Sequence, residues 1–251
     1  MAQSDAKIRL YVDTDLGPGH QVALERDQAH YLVGVMRCGI GDSVLLFNGR
    51  DGEWWAGIVE AGKRAAVLEC REQTRVQSAT RDLWLCFAPV KKARTDFIAE
   101  KACEMGCRRL VPVFTRYTNS ERVRTDRLRA HGIEAAEQCG MLSVPEVAEP
   151  VTLDRLLADW PEERQLMFCD ESGTADPAPK VLSRVGLNPT LRDAPWAVLI
   201  GPEGGFSPEE AERLRGLSYA HPVSLGPRIL RADTAAVAAL TIWQATLGDW
   251  V

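Results

Sequence analysis

Twice near the C-terminal end of this sequence a short apolar run passes through a glycine–proline loop into a helix-like stretch. The loops are Leu199-Ile-Gly-Pro-Glu-Gly-Gly-Phe206 and Leu225-Gly-Pro-Arg-Ile-Leu-Arg-Ala-Asp-Thr234. Strand followed by helix, repeated, restricts the fold to sheets whose strands run parallel, because each helix carries the chain back to begin the next strand. Loops at the carboxyl ends of such strands are where open α/β sheets bind ligands. Neither loop carries standard phosphate chemistry. The first lacks GxGxxG spacing, and neither ends in the Gly-Lys-Ser/Thr of a P-loop.

The alternation begins at Leu83 and predicts a doubly wound α/β domain with a mostly parallel sheet over residues 80–251. Strands are expected at 83–90, 109–114, 164–169, 196–201 and 223–226, and helices at 95–105, 125–138 and 234–247. Gly106 should cap the first of these helices. Ser207-Pro-Glu-Glu210 begins another, with an N-cap serine, proline at the first helical position and glutamate at the third. Residues 176–179 read as a proline-rich loop. The first seventy-five residues read differently. Short β-branched or aromatic runs at 7–12, 43–48, 54–60 and 65–70, with Asn48-Gly49 and Asp51-Gly52 as turns, suggest a small barrel. One helix is expected at 27–37, and polar residues 72–80 resemble a linker.

Composition narrows the function. No apolar stretch is long enough to span a bilayer, and the N-terminal residues have no signal-peptide core, so a soluble cytoplasmic protein is expected. The seven cysteines are scattered, with no CxxC and no histidine at zinc-ligand spacing, so neither metal nor disulfide is expected. Cys103 and Cys107, four apart on the expected helix, are read as small semi-buried residues. The net charge of −5 argues against a polyanionic partner, but it is unevenly spread. Residues 76–131 carry 12 basic and 6 acidic side chains, whereas 132–251 carry 9 and 18. A basic segment in an acidic chain fits a local polyanion site. Charge alone fits equally well a solvated helix face for Arg122, Arg124, Arg127 and Arg129.

In the first loop, Gly201, Gly204 and Gly205 allow backbone conformations closed to other residues and let a ligand lie against main-chain groups. The helix that follows presents unpaired N–H groups to electron-rich atoms. Glu203 would repel a phosphate and suits a cationic ligand or ribose hydroxyls. A glycine-rich turn alone needs no ligand; the second loop shifts the balance. There Arg228 and Arg231 flank Ile229-Leu230, so a base and a phosphate could be held together beside an apolar wall. Asp233-Thr234 could cap the last helix.

Taken in order, LIGPEGGF and LGPRILRADTA resemble the signature of the bacterial 16S ribosomal RNA uridine-N3 methyltransferases, of the knotted SPOUT class. The likeness extends through Val35-Met-Arg37, Gly41 to Gly49, Lys92, the Glu100-Lys101 and Glu104-Met-Gly106 helix end, Pro112, Glu137-Gln-Cys139 and Val144-Pro145. The chain departs from the family pattern at Gly34, Tyr117, Met141 and Ala232-Asp233, and the cofactor loops are intact.

The resemblance implies a PUA-like barrel over residues 1–75 that grips RNA and a SPOUT domain over 80–251 with a deep trefoil knot. It also implies a homodimer, S-adenosylmethionine as cofactor and the RNA of the small ribosomal subunit as substrate. The cofactor would lie against Leu199, Ile200, Gly201, Pro202, Glu203, Gly204, Leu225, Gly226, Ile229 and Leu230. Uridine N3 would attack the sulfonium methyl in line. Arg231 would stabilise the developing anion near O2 or O4, and Glu203 would orient the cofactor or assist proton removal. Neither loop holds a histidine to act as base. Arg37, Lys91, Lys92, Arg94 and Arg228 would contact RNA. Other readings of the same loops are a SPOUT enzyme with another RNA target and a non-catalytic RNA-binding or ribosome-assembly module.

Overall fold

The structure is a computed structural model that describes residues 6, 8–62, 64–120 and 122–250. It divides into two compact units: the described residues up to Ala79 together with 136–144, and residues 80–135 with those from Pro145 onward.

The first unit contains β1 (Arg9–Tyr11), β2 (Gln21–Ala23), α1 (Arg26–Ala29), β3 (Ser43–Phe47), β4 (Glu53–Ala61) and β5 (Ala66–Arg75). They form a five-stranded sheet in the order β1-β3-β4-β5-β2, antiparallel except for the β1–β3 pair. Among the described residues β1 and β2 are its unpaired ends. Register shifts along β4–β5 bend the long strands, as wrapping a sheet round a core requires. That core is the inward set Leu10, Val22, Val44, Leu46, Ile58 and Leu68 with Leu32.

Two expectations for this unit need correction, and Lys7, where the first strand was to begin, lies outside the described residues. The expected linker starts too early, since β5 runs through Arg75 with Glu72 and Gln73 paired to Trp55 and Trp54; an antiparallel strand can be polar on its solvent face. The expected helix 27–37 is a short α-helix that widens into a π-helix over His30–Val35 and ends before Arg37, whose φ is 60°. The short β2 was not anticipated.

Arg9 anchors this unit. Its guanidinium donates to the carbonyls of Ala136 at 2.6 Å and Met141 at 2.8 Å, satisfying carbonyls at a helix end that would otherwise be orphaned. Nε pairs with the buried Glu53 carboxylate at 2.8 Å.

The second unit contains β6 (Leu83–Phe87), α2 (Lys92–Glu104), β7 (Arg109–Phe114), α3 (Thr125–Cys139, of which the residues from Ala136 on belong to the first unit), β8 (Glu146–Val147), β9 (Val151–Thr152), α4 (Leu153–Ala158), β10 (Gln165–Cys169), α5 (Ala178–Gly186), α6 (Pro189–Arg192), β11 (Trp196–Ile200), α7 (Pro208–Arg215), β12 (Ala220–Val223) and α8 (Ala232–Leu247). Every strand pair is parallel, in the order β12-β10-β11-β6-β7-β8, with β9 beside the end of β7.

Alternate strand residues serve opposite faces. Leu83, Leu85, Met167, Trp196, Val198 and Ile200 pack under α2, α5 and α8. Cys86, Leu166, Phe168, Ala197 and Leu199 pack under α4 and α7. With both faces covered, the central strands are apolar throughout, as buried parallel strands require.

Gly106 terminates α2 with φ 75°, as expected, but α2 begins three residues early, at Lys92 rather than Thr95. It ends at Glu104, so Cys107 lies beyond the helix and shares no helix face with Cys103. The capping box of α7 is present, Ser207 and Glu210 each accepting the other's backbone N–H. The last strand ends at Val223, so Leu225 and Gly226 belong to the loop after it. Helix α8 is capped at Arg231, without a side-chain cap bond, so Asp233 and Thr234 lie inside the helix instead of capping it. No helix among the described residues is long and apolar enough to cross a membrane.

Candidate functional site

The neighbouring strands β12, β10 and β11 end on the same edge of the sheet, and the loops that leave them enclose an open cleft of about 830 Å³. Two of these loops are the glycine–proline loops. The third, Asp170-Glu171-Ser172-Gly173 after β10, was not singled out in the sequence.

This third loop and the residues that follow it hold the other two. Glu171 Oε1 accepts the Phe206 N–H at 2.9 Å, tying the end of the 201–206 loop to the β10 loop. Asp170 takes two hydrogen bonds from Arg215, at 2.7 and 3.0 Å, and one from the Ser172 N–H at 2.9 Å. Burial opposes the Asp170 charge, but the bonds from Arg215 and Ser172 outweigh it and hold its carboxyl below the usual range. Burial, reinforced by the Glu171 carboxylate, pushes the Cys169 thiol up, so Cys169 is an uncharged part of the wall. The 224–231 loop is pinned by the Ser224 N–H donating to Asp176 O at 2.8 Å and by Ser224 O accepting the Ala178 N–H at 2.9 Å.

Two glycines are required by this geometry. Gly205 has φ 72°, and a Cβ there would fall 2.0 Å from Glu171 Oε1. A Cβ on Gly201 would meet the Phe206 ring at 2.7 Å. A turn bond from the Gly205 N–H to Pro202 O at 2.9 Å completes the cradle.

Of the residues the sequence assigned to the cofactor, Ile200, Gly201, Pro202, Glu203, Leu225, Gly226, Ile229 and Leu230 line the cleft. Leu199 does not; its side chain is wholly buried on the opposite face of the sheet beside Phe168 and Leu214. Gly204 is also outside the lining, at the surface close to Tyr117.

Arg228 lines the cleft, whereas the exposed Arg231 stands between the lining residues Leu230 and Ala232 without lining it. Lys91 and Lys92 are exposed at the start of α2, and Arg37 is exposed in the other unit. Arg94, expected to contact RNA, pairs its guanidinium with Glu203 and approaches Asp233 at 3.7 Å, so it links the 201–206 loop to the first turn of α8.

The lining carries Asp170, Glu171 and Glu203 against one lining guanidinium, Arg228, while Arg215 and Arg94 engage Asp170 and Glu203 from outside the lining. Carboxylate oxygens so placed accept from hydroxyls and amino groups, and suit a ligand bearing them better than a phosphate. Ile200, Leu225, Ile229 and Leu230 supply an apolar wall for a flat ring. The residues present therefore fit a nucleoside with a cationic tail. Among the described residues no group of three or more His, Cys, Asp or Glu could hold a metal ion.

Comparison with known proteins agrees with this architecture. A methyltransferase from Legionella pneumophila, solved with its bound cofactor SAM, is 29% identical over 96% of this chain and 98% of its own, with a TM-score of 0.82. The ribosomal RNA small subunit methyltransferase E of Neisseria gonorrhoeae shares the fold, with a TM-score of 0.84 at 24% identity over 97% of this chain and 99% of its own. The ribosomal RNA small subunit methyltransferase E of Rickettsia conorii is 29% identical over 92% of this chain and 93% of its own length. The model of the RNA methyltransferase PUA domain matches residues 24–69 and that of the RNA methyltransferase domain matches residues 77–244, so the chain belongs to the RNA methyltransferase family.

Proposed function

We propose that this protein methylates N3 of a uridine in the 16S RNA of the small ribosomal subunit, using S-adenosylmethionine bound in the cleft of the β10, β11 and β12 loops. The observation that carries this reading is the make-up of the cleft, whose lining pairs the carboxylates of Asp170, Glu171 and Glu203 with an apolar wall of Ile200, Leu225, Ile229 and Leu230, the combination a nucleoside with a cationic tail calls for. The small-subunit RNA as substrate is supported by the names of full-length relatives such as the Rickettsia conorii protein. A cytoplasmic location follows from that substrate.

When bound, S-adenosylmethionine supplies a methyl group on a positively charged sulfur that leaves as a neutral thioether. The chain's own work lies on the uridine side. N3–H is protonated at neutral pH, so its proton passes to Glu203 or to water as the N3–methyl bond forms and the methyl–sulfur bond breaks. The negative charge that develops on the base is stabilised near O2 or O4 by Arg231, next to the lining residue Leu230. Ile229 and Leu230 would give the reacting pair an apolar side. Glu203, held by Arg94, orients the cationic end of the cofactor. Arg37, Lys91, Lys92 and Arg228 contact RNA.

In the same reading, residues 1–75 form the RNA-gripping PUA-like domain and 80–251 the SPOUT domain. The trefoil knot is supported by the path of the chain: after the edge strand β12 it returns to lay α8 against α2, α5 and the central strand β11. The direct test is mass-spectrometric mapping of 16S RNA from cells with and without the gene. One N3-methyluridine should vanish on deletion and return with the gene; an unchanged map would exclude the assignment.

Homodimerisation belongs to the proposal as well. Helix α8 carries no charged residue between Asp233 and Asp249, yet Val237, Ala238 and Thr241 are only partly buried. A helix that is apolar all round needs cover on both sides. Light scattering should give twice the 27.7 kDa chain mass, and Ala238→Glu should give the monomer. A wild-type monomer would refute the dimer.

A further inference from the structure

A second cleft opens on the same edge of the sheet, between the first turn of α2 and residues 120–128, with a volume of about 720 Å³. Its charge is the reverse of the first. Lys92, Arg122, Arg124 and Arg127 line it against one carboxylate, Asp96.

Asp96 is occupied by Arg127, which donates to both its oxygens at 2.8 and 2.7 Å. The Arg127 bonds, and then the nearby charges of His131, Arg127 and Lys92, outweigh burial and hold that carboxyl below its usual range. Arg124 is engaged by Asp126. Among the described residues Lys92 and Arg122 have no ion-pair partner, so two cations face the cleft with their charge uncommitted. Val90, Val123 and Leu128 form an apolar part of the wall.

The two clefts are divided by a single helical turn. Arg94 reaches from it to Glu203 and Asp233 at the first cleft, while Lys92, Thr95 and Asp96 line the second. A ligand with a base to be modified and a phosphate beside it would find the base site acidic and apolar, and the phosphate site basic.

We propose that this second cleft is a phosphate subsite that holds the RNA backbone next to the target nucleotide, through Lys92 and Arg122. It rests on the RNA-methylating reading and adds to it a location for the flanking phosphate. The pairing of Arg127 with Asp96 has a role here: it fixes α3 against α2 and leaves the cleft walls rigid without using the two free cations.

The test measures binding of a 16S RNA fragment to the full-length protein over a range of salt. Lys92→Ala/Arg122→Ala should weaken binding about tenfold at moderate salt. It should also reduce the slope of log K against log salt by about 1.4 to 1.8, as the loss of two phosphate contacts requires. The loss in methyl transfer should appear in KM for RNA, with S-adenosylmethionine affinity retained in calorimetry. Lys92→Arg/Arg122→Lys, which keeps both charges, should restore the slope. A wild-type slope and KM in the alanine pair would overturn the subsite, as would a defect confined to kcat. A wild-type protein that bound RNA with the expected slope but transferred no methyl would sink the enzymatic reading and leave the subsite standing. One that bound no RNA would remove both.

Discussion

Arg231→Ala is expected to lower methyl transfer by about 10²- to 10³-fold, the usual cost of removing one preorganised group from a developing anion, while S-adenosylmethionine binds as tightly as before. The position of the residue makes the two readouts separable. Arg231 is the N-cap of α8, with φ −66° and ψ 153°, and makes no capping bond that its loss would undo. Its neighbours Leu230 and Ala232 line the cofactor cleft, but its own side chain is exposed and does not. The backbone there is rigid, since the Ala235 N–H donates to Arg231 O at 2.8 Å. An alanine keeps that bond and α8 intact, and removes only the side-chain charge that the proposed mechanism sets against the base. Arg231→Lys should recover part of the rate, because charge is restored but the planar fork of donors is not. Arg228 is the contrasting case. It lines the cleft itself, so its removal should be felt in ligand binding. Parallel losses of transfer rate and cofactor affinity in Arg231→Ala would take Arg231 out of the catalytic role.

Much of this arrangement could be read from the residues in order, and the physical reason differs from element to element. Strands β6, β7, β10 and β11 are buried on both faces, and so announce themselves as continuous apolar runs. Helix α7 carries its own start signal in Ser207 and Glu210. By contrast β12 is Ala-His-Pro-Val, an edge strand able to tolerate Pro222 because one side of it needs no ladder bonds; its composition hid it and moved the expected strand onto the loop. The 201–206 and 224–231 loops were legible because glycine and proline mark them. The Asp170–Gly173 loop was not, since its importance comes from β10 standing between β11 and β12, and strand order is a tertiary fact. The same holds for Arg94, whose partners Glu203 and Asp233 are remote in sequence. The charge of residues 76–131 was plain, but only the fold separates Arg124 and Arg127, each engaged by an aspartate, from Lys92 and Arg122.

Gly205→Ala should weaken S-adenosylmethionine binding about a hundredfold, and the reason lies in the loop that the sequence left unmarked. An alanine at φ 72° costs of order 1 kcal/mol of backbone strain. Its Cβ would also fall on the Glu171 carboxylate, at 2.0 Å from Oε1. Glu171 must then swing away and give up the Phe206 N–H, a hydrogen bond to a charged group worth about 1.5–3 kcal/mol. Together these reach about 3 kcal/mol, which corresponds to roughly two powers of ten in a dissociation constant. The two contributions can be told apart. In Gly205→Ala/Glu171→Ala the clash is gone but the tether is gone too, so the double variant should bind no better than Glu171→Ala alone. Glu171→Gln, which keeps an oxygen that can accept the Phe206 N–H, should lose much less. The Gly226 loop supplies the control: Gly226 has φ 117° but nothing within 4 Å of an added Cβ, so Gly226→Ala feels backbone strain without a clash and should fall short of the Gly205→Ala defect. Calorimetry with S-adenosylmethionine measures all five variants. Wild-type affinity in Gly205→Ala would mean that the β10 loop does not hold the cofactor cradle in shape. Equal defects in Gly205→Ala and Gly226→Ala would assign the effect to backbone strain and leave Glu171 without the role of a tether.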